Sequence, residues 1–233
     1  MSNNRSVILS YIISISFIFA AFLSCVHYCC FDEKFYTNEH NNILLSGKHI
    51  SEYIGISDED LKELTSFTLD YLNDPKASLD KQMVVKDQLR EVYSDDEKAH
   101  MVDVRSLNLA ATYLMYTSIA TFFISLFIYF YKKYSKTLLV NSYIKVLIFI
   151  LALFAILGIY VLTDFNSFWN NFHHVFFRSN NLWILDLRKD ILIMIVPPEF
   201  FNHLVKRILL MFIIAIILFP ITFKVLRKLK IYD

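Results

Sequence analysis

Glycine is scarce in this 233-residue chain, at three residues, which is too few for an ordinary soluble domain of this length. The same scarcity leaves no glycine-rich phosphate loop, and no internal repeat or low-complexity tract is present. Cysteine is limited to Cys25, Cys29 and Cys30. An odd number at vicinal spacing makes no disulfide framework, so these are read as packing residues. No His-Glu-x-x-His or comparable helical pair occurs, so the spacing signal for zinc is weak. No Ala-x-Ala-like cleavage site follows the first apolar run, whose nineteen residues exceed the about 7–15 of a signal peptide. That run reads as an uncleaved signal anchor. Phe22-Leu23-Ser24-Cys25 is a poor lipidation site because position 23 is normally small there, so the protein is not expected to be a lipoprotein itself.

What is abundant is apolar surface: 56% of residues are hydrophobic and mean hydropathy is +0.44. Four stretches, 7–25, 109–131, 139–162 and 208–225, are long enough to cross about 30 Å of hydrocarbon at about 1.5 Å per residue. The expected fold class is an all-α membrane protein with four transmembrane helices, a helical extracytoplasmic segment and an interfacial loop. The boundaries read as a first span in 1–31, an outer segment 32–107, a second span 108–131, a cytoplasmic loop 132–138, a third span 139–163, an outer interfacial segment 164–205, and a fourth span with a cytoplasmic tail in 206–233. Lys132, Lys133 and Lys136 crowd one short loop, and Lys224, Arg227, Lys228 and Lys230 follow the last span. Cations of this kind mark the cytoplasmic side, so both termini are expected there. Segment 32–107 holds 17 acidic and 9 basic residues, a balance of −8 that disfavours nucleic acid and anionic phosphate partners.

Within 32–107, Ser57 with Asp60 resembles a capping box, and Leu61, Leu64, Thr68, Tyr71 and Leu72 keep a helical spacing, so a helix is expected over 58–73. Asn73-Asp74-Pro75 ends it. A second helix is expected to carry Leu79, Met83, Leu89 and Val92, and Ser94-Asp95-Asp96-Glu97 offers a further cap. From Asp95 no breaker occurs before the second apolar run, so one helix is expected to pass from solvent into lipid. His100 and Asp103 share a face of it, roughly 12–14 Å before the apolar run begins.

The second outer segment holds both tryptophans, Trp169 and Trp183, and the run ILIMIV at 191–196, halted by Pro197-Pro198. Six apolar residues cannot span a bilayer, so this stretch is expected to lie along the interface or dip into it. His173 and His174 arrive there at the same depth as His100, and adjacent residues point to different faces, so only one of the two is expected to act. His40, His49 and His203 are read as surface or packing residues. Asp103 reads equally as the solvated start of a helix, and the charges of WILDLRKD as headgroup anchors. These patterns alone leave the function open.

Two blocks carry a resemblance: EKAHMVDVR from Glu97 to Arg105, and FHHVFFRSNNLWILDLRKDILIMIVPPEFF from Phe172 to Phe201. They resemble the signature blocks of the Lit-type lipoprotein intramolecular transacylases, whose pattern reads His-x-x-Asp-Val, then Phe-His-x-x-Phe-Phe followed by Trp. That pattern falls on His100, Asp103 and Val104, and on Phe172, His173, Phe176, Phe177 and Trp183. His174 falls on a variable position. The resemblance covers the four-span architecture and implies acyl transfer within a bacterial lipoprotein whose N-terminal cysteine bears a diacylglyceryl thioether. The sn-2 acyl chain would move to the cysteine α-amine through an eight-membered cyclic intermediate, leaving a lyso-form lipoprotein.

It also implies a multi-pass protein of the bacterial cytoplasmic membrane, with its site at the extracytoplasmic interface. The diacylglyceryl lipoprotein and membrane lipid would be its partners, with no nucleic acid, cofactor or metal. His100 and His173 are the expected catalytic residues, with His173 the principal base and acid and Asp103 fixing the tautomer of His100. Arg105 and Arg178 are possible oxyanion or headgroup partners, and Phe172, Phe176, Phe177 and Trp183 would line the level of the ester. Two readings from other classes remain: a zinc-dependent membrane hydrolase using His100, His173 or His174 and a carboxylate as ligands, and a non-catalytic membrane sensor or assembly factor.

Overall fold

The computed structural model describes residues 4–178 and 180–228, with side chains described to residue 218. Lys230 and the rest of the tail 229–233, and the side chains of Lys224, Arg227 and Lys228, lie outside the described residues. The elements in chain order are α1 (Asn4–Cys30), α2 (Glu33–Asn42), β1 (Leu44–Leu45), β2 (Lys48–His49), α3 (Ile50–Ile54), α4 (Asp58–Asn73), β3 (Gln82–Val85), β4 (Gln88–Glu91), α5 (Asp95–Tyr131), α6 (Lys136–Thr163), α7 (Phe165–Phe176), α8 (Ile191–Ile195) and α9 (Pro198–Lys228). Among the described residues α1, α5, α6 and α9 are long and apolar enough to cross a membrane, as the four apolar runs predicted. In hydrocarbon no water is present to satisfy backbone polar groups, so such runs must be helical.

The chain divides into two units. The first holds the spans: of the described residues, 4–28, 111–162 and 206–228. Its core is Ile18, Cys25, Tyr143, Phe212 and Ile216, packed by Phe17, Phe22 and Phe154. Ser10 and Ser142 share a 2.7 Å hydroxyl contact between α1 and α6, and the Tyr143 hydroxyl donates to the Ile216 carbonyl at 2.7 Å. Such interhelical hydrogen bonds are the polar glue of membrane bundles. Ile148, Phe149 and Ile156 of α6 face outward, as suits lipid contact. Cys25 and Cys29 are buried and form no disulfide among the described residues, in keeping with a packing role.

The second unit holds residues 29–110 and 163–205. Its α4 begins with the predicted capping box, the Ser57 hydroxyl accepting from the Asp60 amide at 3.0 Å, and covers the predicted 58–73. The expected second helix is corrected: β3 and β4 form an antiparallel hairpin in which Met83 faces Arg90 and Val85 faces Gln88. Met83 and Val85 are buried while Val84 and Leu89 are exposed, a period of two where a helix was expected. Lys86 and Asp87 make the turn with φ of 52° and 64°, the left-handed geometry of a tight two-residue hairpin. Val92 and Tyr93 then enter the core, where the Tyr93 and Thr68 hydroxyls meet at 2.6 Å.

From Asp95 α5 runs unbroken to Tyr131, as predicted. Within ILIMIV, α8 packs beside α3, with Ile191, Leu192, Met194 and Ile195 buried. His40 contacts the Ile195 carbonyl at 3.0 Å through Nε2, and His203 Nδ1 meets Glu39 at 2.6 Å. These two histidines are occupied in holding α2, α8 and α9 together, while His49 is exposed.

Candidate active site

The site begins with the cap of α5. The Ser94 hydroxyl accepts from the Glu97 amide at 3.3 Å, and the Glu97 carboxylate accepts from the Ser94 amide at 2.7 Å, a reciprocal capping box. The other Glu97 oxygen accepts from the Leu192 amide at 2.7 Å, across 95 residues of sequence. Glu97 is 1% exposed, and burial pushes its carboxyl above the usual range while the two amides pull it back. One carboxylate therefore ties the start of α8 to the start of α5, a turn before His100. In a Glu97→Gln variant one of these amides would face an NH2 donor in place of an acceptor. A lost charge-assisted bond is worth about 1.5–3 kcal/mol, so we expect that loss of stability in thermal unfolding, with slower turnover. Unchanged melting would contradict the clamp.

Asp164 opens α7 by accepting from the Ser167 amide at 3.0 Å, and near its other end the helix delivers the adjacent histidines to different faces. His173 is 6% exposed and His174 lies outward. His173 Nδ1 is 2.8 Å from the Trp169 carbonyl. A carbonyl only accepts, so Nδ1 carries the proton and the lone pair lies on Nε2. Burial draws the His173 pKa below its ordinary value, opposed by the Trp169 contact and assisted by His174.

His100 is also 6% exposed, its ring centre 6.2 Å from that of His173. Burial, then the neighbouring His173, pulls its pKa down to about 4 against the opposing field of Asp103. Both imidazoles are therefore neutral at pH 7. Phe177 packs edge-on at 5.1 Å from His100 and lies 5.6 Å from His173, and the Trp183 indole stacks on His173 at 4.7 Å. Among the described residues neither His100 Nδ1 nor Trp183 Nε1, both buried, has a hydrogen-bond partner.

The structure thus brings together His100, His173, Phe172, Phe177 and Trp183, with Phe172 5.5 Å from His173. Phe176 is 52% exposed and packs on Phe172 at 4.8 Å. Asp103 accepts from the Asn180 side-chain NH2 at 2.9 Å, and no hydrogen bond joins it to His100 among the described residues, so it acts on that ring through its charge. Arg105 donates to the Ala77 carbonyl at 2.9 Å and the Asp74 carbonyl at 3.3 Å and lies over the Tyr71 ring, which commits it to the turn after α4. Arg178 is exposed. Among the described residues no three His, Cys, Asp or Glu side chains converge as a metal ion requires.

Glu97, Trp169 and Asn180 are the contributors missing from the sequence-based set. Ser94-x-x-Glu97 was readable as a cap and Trp169 stands one helical turn before His173, whereas nothing local ties Asn180 to Asp103.

The family model "Lipoprotein intramolecular transacylase Lit" matches residues 11–201. The fold is similar to the in meso structure of the membrane integral lipoprotein intramolecular transacylase Lit from Bacillus cereus, with a TM-score of 0.79 and 23% identity over 98% of this chain and 99% of that one. A variant of the Bacillus cereus protein with a histidine replaced by arginine matches with a TM-score of 0.73 and 23% identity over 97% of this chain and 94% of that one. No curated protein sequence matches the chain.

Proposed function

This chain belongs to the lipoprotein intramolecular transacylase family, and on that premise we propose that it moves the sn-2 acyl chain of a diacylglyceryl lipoprotein to the α-amine of the N-terminal cysteine. The observation that carries the reading is His173: buried, its Nδ1 proton held by the Trp169 carbonyl, its Nε2 free to exchange a proton, and a second neutral imidazole beside it. The substrate's α-amine has a pKa of about 7.7–8.0, so at pH 7 roughly a tenth is already neutral, its first proton gone to solvent. As the nitrogen attacks the ester carbonyl it must shed a second proton, which His173 Nε2 takes. The N–C bond forms, the eight-membered ring closes, and the acyl–oxygen bond breaks. The imidazolium returns the proton to the departing glycerol oxygen, and a ring whose pKa burial has lowered is a ready donor at that step.

Proximity is built into the substrate, so the protein need only orient it and move one proton. His100, neutral at working pH, gives its N–H to the developing charge. The aromatic wall of Phe172, Phe177 and Trp183 excludes water and accommodates the chain beside the ester, with Phe176 and Arg178 at the rim toward lipid headgroups. No cofactor, metal or nucleic acid enters the scheme, and family membership leaves the zinc-hydrolase and sensor readings without support.

The partners are lipoproteins and lipid of the bacterial cytoplasmic membrane, with both termini inside and the histidines on the outer face. Reporters fused after Tyr134 should read as cytoplasmic, and reporters near Asn73 or Asn180 as external; a cytoplasmic signal at either external position would reverse the orientation. Mass spectrometry of lipoprotein N-termini from cells with and without the protein tests the activity. A diacyl form with a free amine should become a lyso form of equal mass bearing an amide-linked chain. Identical N-termini in the two strains would refute the reading.

A further inference from the structure

Resting on the transacylase reading, we propose that the indole N–H of Trp183 is a catalytic hydrogen-bond donor to the oxyanion of the tetrahedral intermediate. The indole stacks on His173, ring centres 4.7 Å apart and planes 26° apart, so the ring that bears the N–H adjoins the imidazole that handles the proton. That N–H is buried and has no partner among the described residues. Buried indole N–H groups ordinarily find an acceptor, and an orphan beside a reactive group is accounted for if its acceptor arrives with the substrate. The tetrahedral intermediate supplies such an acceptor: one oxygen, formerly the acyl carbonyl, carrying a full negative charge until the glycerol oxygen departs.

Trp183 is also held in advance, as a donor of this kind must be. The Leu182 amide donates to the Asn180 side chain at 3.1 Å, and that side chain donates to Asp103 of α5. Beyond Trp183, the Asp186 amide donates to Asp190 at 2.7 Å, and the Leu192 amide to Glu97. The edge of His174 packs against the indole at 5.2 Å. The loop carrying the donor is thus tied to the helix carrying His100 on both sides of Trp183.

The chemistry favours a neutral donor here. A guanidinium against His173 would oppose the imidazolium that forms when the ring takes the proton. The indole stabilises an anion without that repulsion, has no tautomers, and does not compete for the proton in transit. Arg105 is bound to the turn after α4, Arg178 is exposed, and Arg188 is paired with Asp186.

The test is kinetic, on the purified full-length protein in lipid with a diacylglyceryl lipopeptide, comparing the parent, Trp183→Phe, and a protein whose Trp183 is replaced by its benzothiophene analogue, which keeps the ring and substitutes sulfur for N–H. Loss of one oxyanion donor costs about 10²- to 10³-fold in kcat. Both replacements should fall by about 10²-fold, with KM within about twofold of the parent and the acid limb of the pH profile unmoved. The analogue covers the case in which phenylalanine disturbs folding. An analogue as active as the parent overturns the donor while leaving the transacylase reading intact. A shifted acid limb also overturns it, because Trp183 would then act only by holding His173. A parent that moves no acyl chain overturns the reading underneath and the donor with it.

Discussion

Replacing His173 by asparagine is expected to lower the rate of acyl transfer by about 10²- to 10⁴-fold, the range typical of lost acid–base catalysis. Asparagine retains a donor for the Trp169 carbonyl and much of the shape under the Trp183 indole, but has no nitrogen that titrates near neutrality. His174→Asn should keep most of the activity, because that ring points outward. The pH profile supplies a second readout. Attack needs both a neutral α-amine and a neutral imidazole, so kcat/KM should fall about tenfold per pH unit below the amine pKa of about 7.7–8.0 and more steeply once pH drops through a His173 pKa lying below 6.5. The His173→Asn protein should keep the fall due to the amine and lack the added steepness due to the imidazole. Both variants must first be shown to insert and accumulate normally.

The second large effect belongs to His100. His100→Asn should cost about 10²-fold, and the double variant with His173→Asn should be little worse than the poorer single one, since groups acting as a unit lose function non-additively. Strictly multiplicative losses would mean that the two rings act separately. His100 also couples stability to pH. Its pKa is about 4 in the fold against about 6.5 when unfolded, so its contribution is fully present above pH 6.5 and is lost as pH falls toward 4. That difference corresponds to about 3 kcal/mol, the proton binding more readily to the unfolded chain. His100→Asn should therefore flatten the decline in melting temperature between pH 6.5 and 4. An unchanged decline would place its origin elsewhere.

The spans were legible because apolar runs of bilayer length have few alternatives, and α4 and α5 because Ser57, Asp60 and Ser94 announce their starts. The hairpin was not. Leu79, Met83, Leu89 and Val92 fit a helical stripe, and neither Lys86 nor Asp87 advertises the positive φ that turns the chain back. Helical geometry separated His173 from His174 correctly, since neighbours 100° apart cannot share a buried face. The site's long-range bonds were invisible: Glu97 to Leu192 and Asn180 to Asp103 join residues 95 and 77 positions apart. Arg105 looked like a free cation because sequence does not show that two carbonyls and a tyrosine ring already hold it.

A crossover experiment addresses the transfer itself. Two populations of diacylglyceryl lipopeptide, one carrying a heavy peptide with a heavy sn-2 chain and the other light in both, are mixed with the purified protein in lipid, and the products are separated by mass. Transfer within one molecule, with His173 passing the proton, predicts amide-linked products that are heavy in both parts or light in both, none mixed, and almost none of either with the His173→Asn protein. Mixed products, or equal yields from the parent and the His173→Asn variant, would contradict it.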